Sequence, residues 1–114
     1  MSFSYEKQPW EVEIIGVDFS RRVPAGVTIL PVEVDVTDVR IEETITPSNL
    51  IASNYGPHLA ISSIALAGVI GREKILTAKI SDGVTGFQYR VTFKVTLSDG
   101  QKKEDDVLVT VKET

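Results

Sequence analysis

The fold of this chain is decided by residues 89–111, which read YRVTFKVTLSDGQKKEDDVLVTV. In the first half, five large apolar side chains alternate with polar ones and so share one face of a strand: Tyr89, Val91, Phe93, Val95 and Leu97. Ser98-Asp99-Gly100 follows as a turn, because glycine adopts the positive φ that tight hairpins need. Apolar and polar residues alternate again within residues 102–112. The stretch therefore predicts a β-hairpin that buries one face.

Strand patterns continue upstream of the hairpin and are separated by turn residues. They cover residues 10–15, 27–36, 39–45, 50–54, 58–67 and 74–81. Pro31 shifts the alternation within 27–36, which places it at a sheet edge or a bulge, where no ladder donor is needed. Short amphipathic strands can bury one face only against a second sheet. The predicted fold class is therefore all-β, an immunoglobulin-like antiparallel β-sandwich of seven to eight strands, with a small closed barrel as the alternative.

Size and composition exclude several classes of protein. A chain of 114 residues closes one hydrophobic core, so we expect a single domain over residues 10–114 after an N-terminal arm over residues 1–9. The absence of cysteine excludes disulfides, thiolate nucleophiles and sulfur-ligated metals. The net charge of −4 argues against nucleic-acid binding. Without a signal peptide or an apolar run of about twenty residues, we expect synthesis in the cytoplasm and no membrane partner.

The polar residues show no pattern typical of an active site. His58, the single histidine, follows the Gly56-Pro57 turn and opens an apolar strand, as a structural residue would. In each of the carboxylate pairs Glu42-Glu43 and Asp105-Asp106, the two side chains point to opposite faces of a strand. The pairs are therefore more typical of a solvated surface than of a calcium site. The 68–74 loop lacks the spacing of a phosphate loop. We therefore predict no catalytic, cofactor-binding or metal-binding residue and no small-molecule substrate.

The aromatic residues suggest where a partner binds. Four of the eight lie in the first nineteen residues: Phe3, Tyr5, Trp10 and Phe19. They indicate either a partner-binding arm or a first strand in which Trp10 anchors the core, and the first eight residues show no strand pattern of their own. Tyr55, in a Gly-Pro turn, is either an exposed aromatic or a residue that packs on its own loop. The candidate partner-binding residues are Tyr5, Trp10 and Tyr55.

Tyr89 is a candidate for a structural role. Gly86 lies three residues before it, and Val91 lies two residues after it. In a tyrosine corner, the hydroxyl of a tyrosine near the start of a strand binds the backbone of the preceding turn. The alternative is a tyrosine at a sheet edge without such a hydrogen bond.

Short motifs along the chain resemble those of a known family. Near the N-terminus they are Lys7-Gln8-Pro9, Asp18-Phe19-Ser20 and Gly26-Val27-Thr28-Ile29. In the C-terminal part they are the 83–86 turn, Tyr89-Arg90-Val91-Thr92, Ser98-Asp99-Gly100 and the charged strand 103–111. In these motifs the chain resembles the small immunoglobulin-like structural proteins of tailed bacteriophages and prophages, the fibre-tail adaptor-like family. Residues 31–71 depart from the pattern, because they are longer and lack the Thr-Trp-Thr strand of many members.

The resemblance implies a function without catalysis. It implies a non-enzymatic structural protein of a phage or prophage tail, acting as a small adaptor or assembly piece without a cofactor. The implied partners are other phage structural proteins or further copies of the chain, and the implied location is the virion after synthesis in the host cytoplasm. The alternative is an immunoglobulin-like ligand- or carbohydrate-binding module, with Trp10 or Tyr55 as a stacking platform.

Overall fold

The computed structural model describes residues 3–19, 21–24, 26–46, 50–52, 56–67 and 75–113, and within these ranges it contains strands and turns but no helix. Ten strands lie in these ranges, and seven of them have five residues or more. In chain order the strands are β1 (Phe3–Lys7), β2 (Glu13–Asp18), β3 (Ile29–Asp38), β4 (Glu43–Thr44), β5 (Ile51–Ala52), β6 (Gly56–Pro57), β7 (Ala60–Ala67), β8 (Ile75–Ser81), β9 (Gln88–Leu97) and β10 (Lys102–Val111).

The longer strands form two sheets. The larger sheet has the order β1-β10-β9-β3-β4 and the smaller one β2-β8-β7, while β5 and β6 pair with each other. Buried apolar residues of both sheets form one core cluster, so the predicted all-β sandwich is confirmed. Strand pairs are antiparallel except that β1 runs parallel to β10. The predicted antiparallel pairing holds except at β1, where the chain crosses from β1 to the other sheet instead of returning through a hairpin.

The β9–β10 hairpin supplies the centre of the core, as predicted. The five apolar side chains that alternate along β9 are each at most 2% exposed. On β10, Val107 and Val109 are buried opposite Val91 and Tyr89 of β9. Gly100 has a φ of 91°, the conformation for which the turn pattern calls. The alternation of apolar residues and the glycine turn both predict a hairpin here, and the observed strands match that prediction closely.

Strand β3 and the segment after it differ in how well they match the prediction. The pairing of β3 with β9 shifts register between Ile29 and Val32, which agrees with the predicted position of Pro31 at a sheet edge or a bulge. The predicted strand 39–45 is reduced to the two residues of β4. The chain turns there instead, with a hydrogen bond from the Ile41 N–H to the Asp38 carbonyl and a φ of 49° at Glu42. The predicted strand 50–54 is β5, and residues 53–55 lie outside the described residues.

The N-terminal segment departs most from the prediction. Phe3 and Tyr5 alternate with Ser4 and Glu6, but Lys7 breaks the pattern and no strand is predicted there. These residues nevertheless form β1 beside β10. Ser4 and Glu6 are exposed, while Tyr5 and Lys7 point inward. The pattern is hidden in the sequence because one inward position carries a lysine. The expectation that these residues lack a strand is therefore wrong, whereas a separable arm over residues 1–9 stays a prediction.

Strand β2 begins later than predicted. It runs from Glu13, and not from Trp10, to Asp18. Trp10 lies in the preceding turn and is 93% exposed. The interpretation that Trp10 anchors the core is thus wrong, because Ile15 and Val17 of β2 fill that part of the core.

Candidate partner-binding site

Lys7, the last residue of β1, is a buried cation with only 1% of its surface exposed. Its Nζ donates hydrogen bonds to the carbonyl oxygens of Gln8 at 2.7 Å, Pro9 at 3.3 Å and Asp82 at 2.6 Å. These contacts use all three donors of an ammonium group. Burial lowers the pKa of Lys7, and the Asp82 carboxylate acts in the opposite direction. Lys7 therefore ties the end of β1 to the loop that follows β8.

The turn after Lys7 presents Trp10 to solvent. The Gln8 N–H donates to the Glu11 carboxylate at 2.7 Å, and the Glu11 N–H donates to the Gln8 carbonyl at 3.1 Å. These two hydrogen bonds close the turn around residues 8–11. Because Lys7 also binds two carbonyl oxygens of this turn, the exposed indole of Trp10 stands on an anchored backbone.

A surface groove of about 520 Å³ lies beside Trp10, where β1, β8 and β10 end. Gln8 and Pro9 line one side, and Asp82, Thr85 and Glu113 are among the residues that line the rest. The lining therefore combines an exposed aromatic ring with amide, hydroxyl and carboxylate groups. This combination of a flat apolar face and nearby polar groups can bind a side chain of a protein or a sugar ring.

Of the other candidate aromatic residues, the structure describes Tyr5, which is not among the residues that line the groove. Tyr5 of β1 is half-buried and packs against the core. Burial raises the pKa of the Tyr5 hydroxyl, and a hydrogen bond to the Glu13 carboxylate raises it further. The Tyr5 side chain thus connects β1 with β2 across the two sheets. Tyr55 lies outside the described residues.

Tyr89, near the start of β9, is fully buried. Its hydroxyl accepts a hydrogen bond from the Val84 N–H at 3.0 Å and lies 3.1 Å from Nδ1 of His58. The rings of His58 and Tyr89 pack edge-on. Burial raises the pKa of the Tyr89 hydroxyl, while the N–H groups of Val84 and Leu59 act in the opposite direction. Val84 precedes β9, so this hydrogen bond joins the start of the strand to the preceding turn. The tyrosine corner and its contribution to stability stay predictions.

Several acidic side chains form ion pairs, among them Glu42 and Asp105 of the two carboxylate pairs. The pairs and their N–O distances are Asp35–Lys94 at 2.9 Å, Asp38–Arg40 at 3.0 Å, Glu42–Arg90 at 2.9 Å and Asp105–Arg22 at 2.9 Å. The Arg90 guanidinium lowers the pKa of Glu42. Within the described ranges, no group of three His, Asp or Glu side chains converges as a metal site would. The 68–74 loop lies outside these ranges.

Aromatic side chains are enriched where proteins bind one another, so an exposed indole beside a groove makes this β-sandwich a candidate binding protein. Residues 7–110 match the model of the Gp77 family, described as podophage GP4 fiber-tail adaptor protein gp77. Because the match spans most of the chain, the protein belongs to this family of phage tail adaptors. The resemblance in its motifs and a structural role in the virion are thereby confirmed.

A search of curated proteins found no match. No helix in the part of the chain that the structure describes could cross a membrane.

Two features of this site were missed from the sequence. Lys7 is part of a family motif, but its residue type argues against burial, because lysine side chains are rarely buried. A signal does exist, since Lys7 lies two residues after Tyr5 and so shares its face of a strand. The exposed positions of Val12 and Ile14 were missed as well, because alternation does not tell which face of an edge strand is covered.

Proposed function

We propose that this protein is a small immunoglobulin-like adaptor that joins a fibre to the tail of a podophage virion and has no enzymatic activity. The observation that carries this proposal is the family match over residues 7–110. The exposed Trp10 beside its groove supports it, because protein-binding surfaces are enriched in aromatic side chains. The partners are then the fibre and tail proteins of the same virion.

The strand order supports the immunoglobulin-like part of the proposal. In that fold, strands C, F and G form one sheet, and B, E and D belong to the other. The order β10-β9-β3 corresponds to G-F-C, and β2-β8-β7 corresponds to B-E-D. Tyr89 lies two residues before Val91, the position that carries the second cysteine in antibody domains.

Within the adaptor we assign partner binding first to Trp10, with Tyr5 and Tyr55 as further candidates. Trp10 combines nearly full exposure with an anchored turn. A rigid aromatic side chain loses little conformational entropy on binding, which is why tryptophan is enriched among residues that dominate binding energy. Tyr5 contributes less contact area because it is half-buried.

The test is a binding measurement with the purified fibre protein and tail protein of the same phage. We expect the adaptor to bind each of them and to join both in one complex by size-exclusion chromatography with light scattering. Trp10→Ala should weaken at least one interaction by about tenfold or more. Ile41→Ala is the matched control, because Ile41 is also an exposed apolar residue but lies between β3 and β4. Binding of neither protein would overturn the proposal.

A second candidate function is carbohydrate binding. It is favoured by the exposed indole beside the polar side chains of Gln8, Thr85 and Glu113 in one groove. Isothermal titration with oligosaccharides of the host surface tests it. Saturable binding that Trp10→Ala abolishes, in a protein that binds neither fibre nor tail protein, would favour this function over the adaptor.

A further inference from the structure

The edges of the two longer sheets differ in how well they are protected. Sheet edges bind other strands unless they are short, bulged or charged. In the described part of the chain, these edges are β1 and β4 in the larger sheet and β2 and β7 in the smaller one. β4 has two residues, and β7 is bulged between Ser62 and Ala65, with Ser63 at a φ of 50°. β1 exposes the polar side chains of Ser4 and Glu6.

Strand β2 lacks these protections over its middle. Its six residues pair with β8 without a register shift, so the strand is regular. The exposed side chain in its first half is Ile14, which is 67% exposed, and Val12 just before the strand is 58% exposed. Acidic residues of β2 stand at its two ends, at Glu13 and Asp18. β2 is therefore the edge best suited to accept another strand.

The side chains at this edge indicate what kind of segment fits it. An added strand forms backbone hydrogen bonds with the edge and places every second side chain on the same face. Val12 and Ile14 are two residues apart and both exposed, so apolar side chains at alternate positions of a partner would cover them.

Charge decides between a foreign segment and a second copy. Glu11 and Glu13 flank Val12, and the chain has a net charge of −4. Lys79 of β8, which pairs with Ile14, is one cation against these two carboxylates. A second copy would bring these carboxylates against each other, whereas basic residues between the apolar ones of a partner would be attracted. We propose that the open edge of β2 binds an extended segment of a fibre or tail protein, with alternating apolar and basic residues, as an added strand. This inference rests on the proposed adaptor function.

Hydrogen exchange tests the added strand directly. In an antiparallel pair, alternate N–H groups of an edge strand point away from its neighbour and exchange with solvent. In the complex of the full chain with the fibre or tail protein, amides of residues 13–18 should exchange more slowly than in the free protein, while those of residues 60–67 should not change. Affinity should also fall as the salt concentration rises.

A pair of matched variants tests the side chains. Ile14→Lys should weaken binding by about tenfold or more, because it removes an apolar contact and repels a basic segment. Ile41→Lys adds the same charge at an exposed isoleucine outside β2 and should leave affinity within about twofold. Thermal unfolding of both variants checks that they fold. If Ile14→Lys does not fold, hydrogen exchange of residues 13–18 in the unsubstituted protein tests the inference alone.

The outcomes separate this inference from the proposed function. Slower exchange at residues 13–18 together with weaker binding of Ile14→Lys supports it. A complex that forms without a change at these amides overturns the inference and leaves the adaptor function standing, whereas binding of neither protein overturns both. Self-association of the free chain that Ile14→Lys abolishes would assign the edge to a second copy and so overturn the inference.

Discussion

The β9–β10 hairpin buries its alternating apolar side chains, whereas the segment from β1 to β2 buries some of its apolar side chains and exposes others. In the hairpin the alternating apolar residues are buried between the sheets. In the N-terminal segment, by contrast, Trp10, Val12 and Ile14 are exposed and Lys7 is buried. The hairpin strands have a neighbour on both sides, while β1 and β2 lie at sheet edges. Alternation thus indicates core in a central strand, whereas at an edge the same residues can form a surface for another protein.

The largest effect is expected in the hairpin. Phe93 is fully buried on β9, so Phe93→Ala should lower the free energy of unfolding by about 3–5 kcal/mol through lost burial and the cavity left behind. Denaturant unfolding measures it, with Thr92→Ala, on the outward face of β9, as the control. A loss below about 1 kcal/mol would show that the hairpin is not the centre of the core.

Removing the buried cation should have the next largest effect. Lys7→Met keeps the apolar stem but leaves three carbonyl oxygens without their donor, which should cost about 1–3 kcal/mol of stability. Limited proteolysis should then cleave near residues 3–12 faster than in the unsubstituted protein. Lys112→Met, at an exposed lysine, is the control. Rapid cleavage of this segment in the unsubstituted protein would instead support a separable arm over residues 1–9.

Tyr89→Phe removes the hydroxyl that accepts from the Val84 N–H. Because the ring and its packing remain, we expect a loss of about 1 kcal/mol, the usual contribution of one buried hydrogen bond. Denaturant unfolding near neutral pH measures it, and Tyr5→Phe provides a half-buried comparison. A loss well under this value would contradict the tyrosine corner.

Alkaline pH should reduce the advantage of Tyr89 over phenylalanine. The raised pKa of Tyr89 keeps its hydroxyl protonated in the folded state at pH values where the unfolded chain, with a tyrosine pKa of 10.0, releases the proton. The folded state then holds more protons, so stability falls as pH rises above about 10. The lowered pKa of Lys7 makes stability change with pH in the opposite direction. Lys7 is present in both proteins, so its effect cancels from the difference between them. The stability gap to Tyr89→Phe should therefore shrink as the pH rises above about 10.

The smallest effect on stability is expected at Trp10. Its indole is almost entirely exposed, so Trp10→Ala should change the free energy of unfolding by less than about 0.5 kcal/mol. The same variant is expected to lose partner binding, which would separate binding from folding at this residue. A loss of stability comparable to that of Phe93→Ala would mean that the indole packs against the sandwich in solution.

Prediction from sequence succeeded where a strand is regular and central. The hairpin, the register shift near Pro31 and the all-β class follow from alternation and turn residues, which act over a few neighbouring positions. The N-terminal strand could not be predicted in this way. β1 gains its stability from β10, about a hundred residues further along the chain, and from a lysine that a local pattern counts as polar.

The candidate site was predicted in part. Trp10 was selected by residue type, and the structure shows its exposure, its anchored turn and the groove beside it. The type of residue alone left two interpretations open, a core anchor and a partner contact. Only the position of the turn relative to the sheets excludes the first of them.

The sequence by itself determined the all-β class, the central hairpin and, through its motifs, the family. Each of these depends on residues that are close in the chain, where side-chain periodicity and glycine conformation act directly. Tertiary structure alone decided that β1 joins the last strand, that Lys7 is buried among carbonyl oxygens and that β2 is left at an open edge. These features depend on contacts between distant segments, and which face of an edge strand is covered depends on what packs against it.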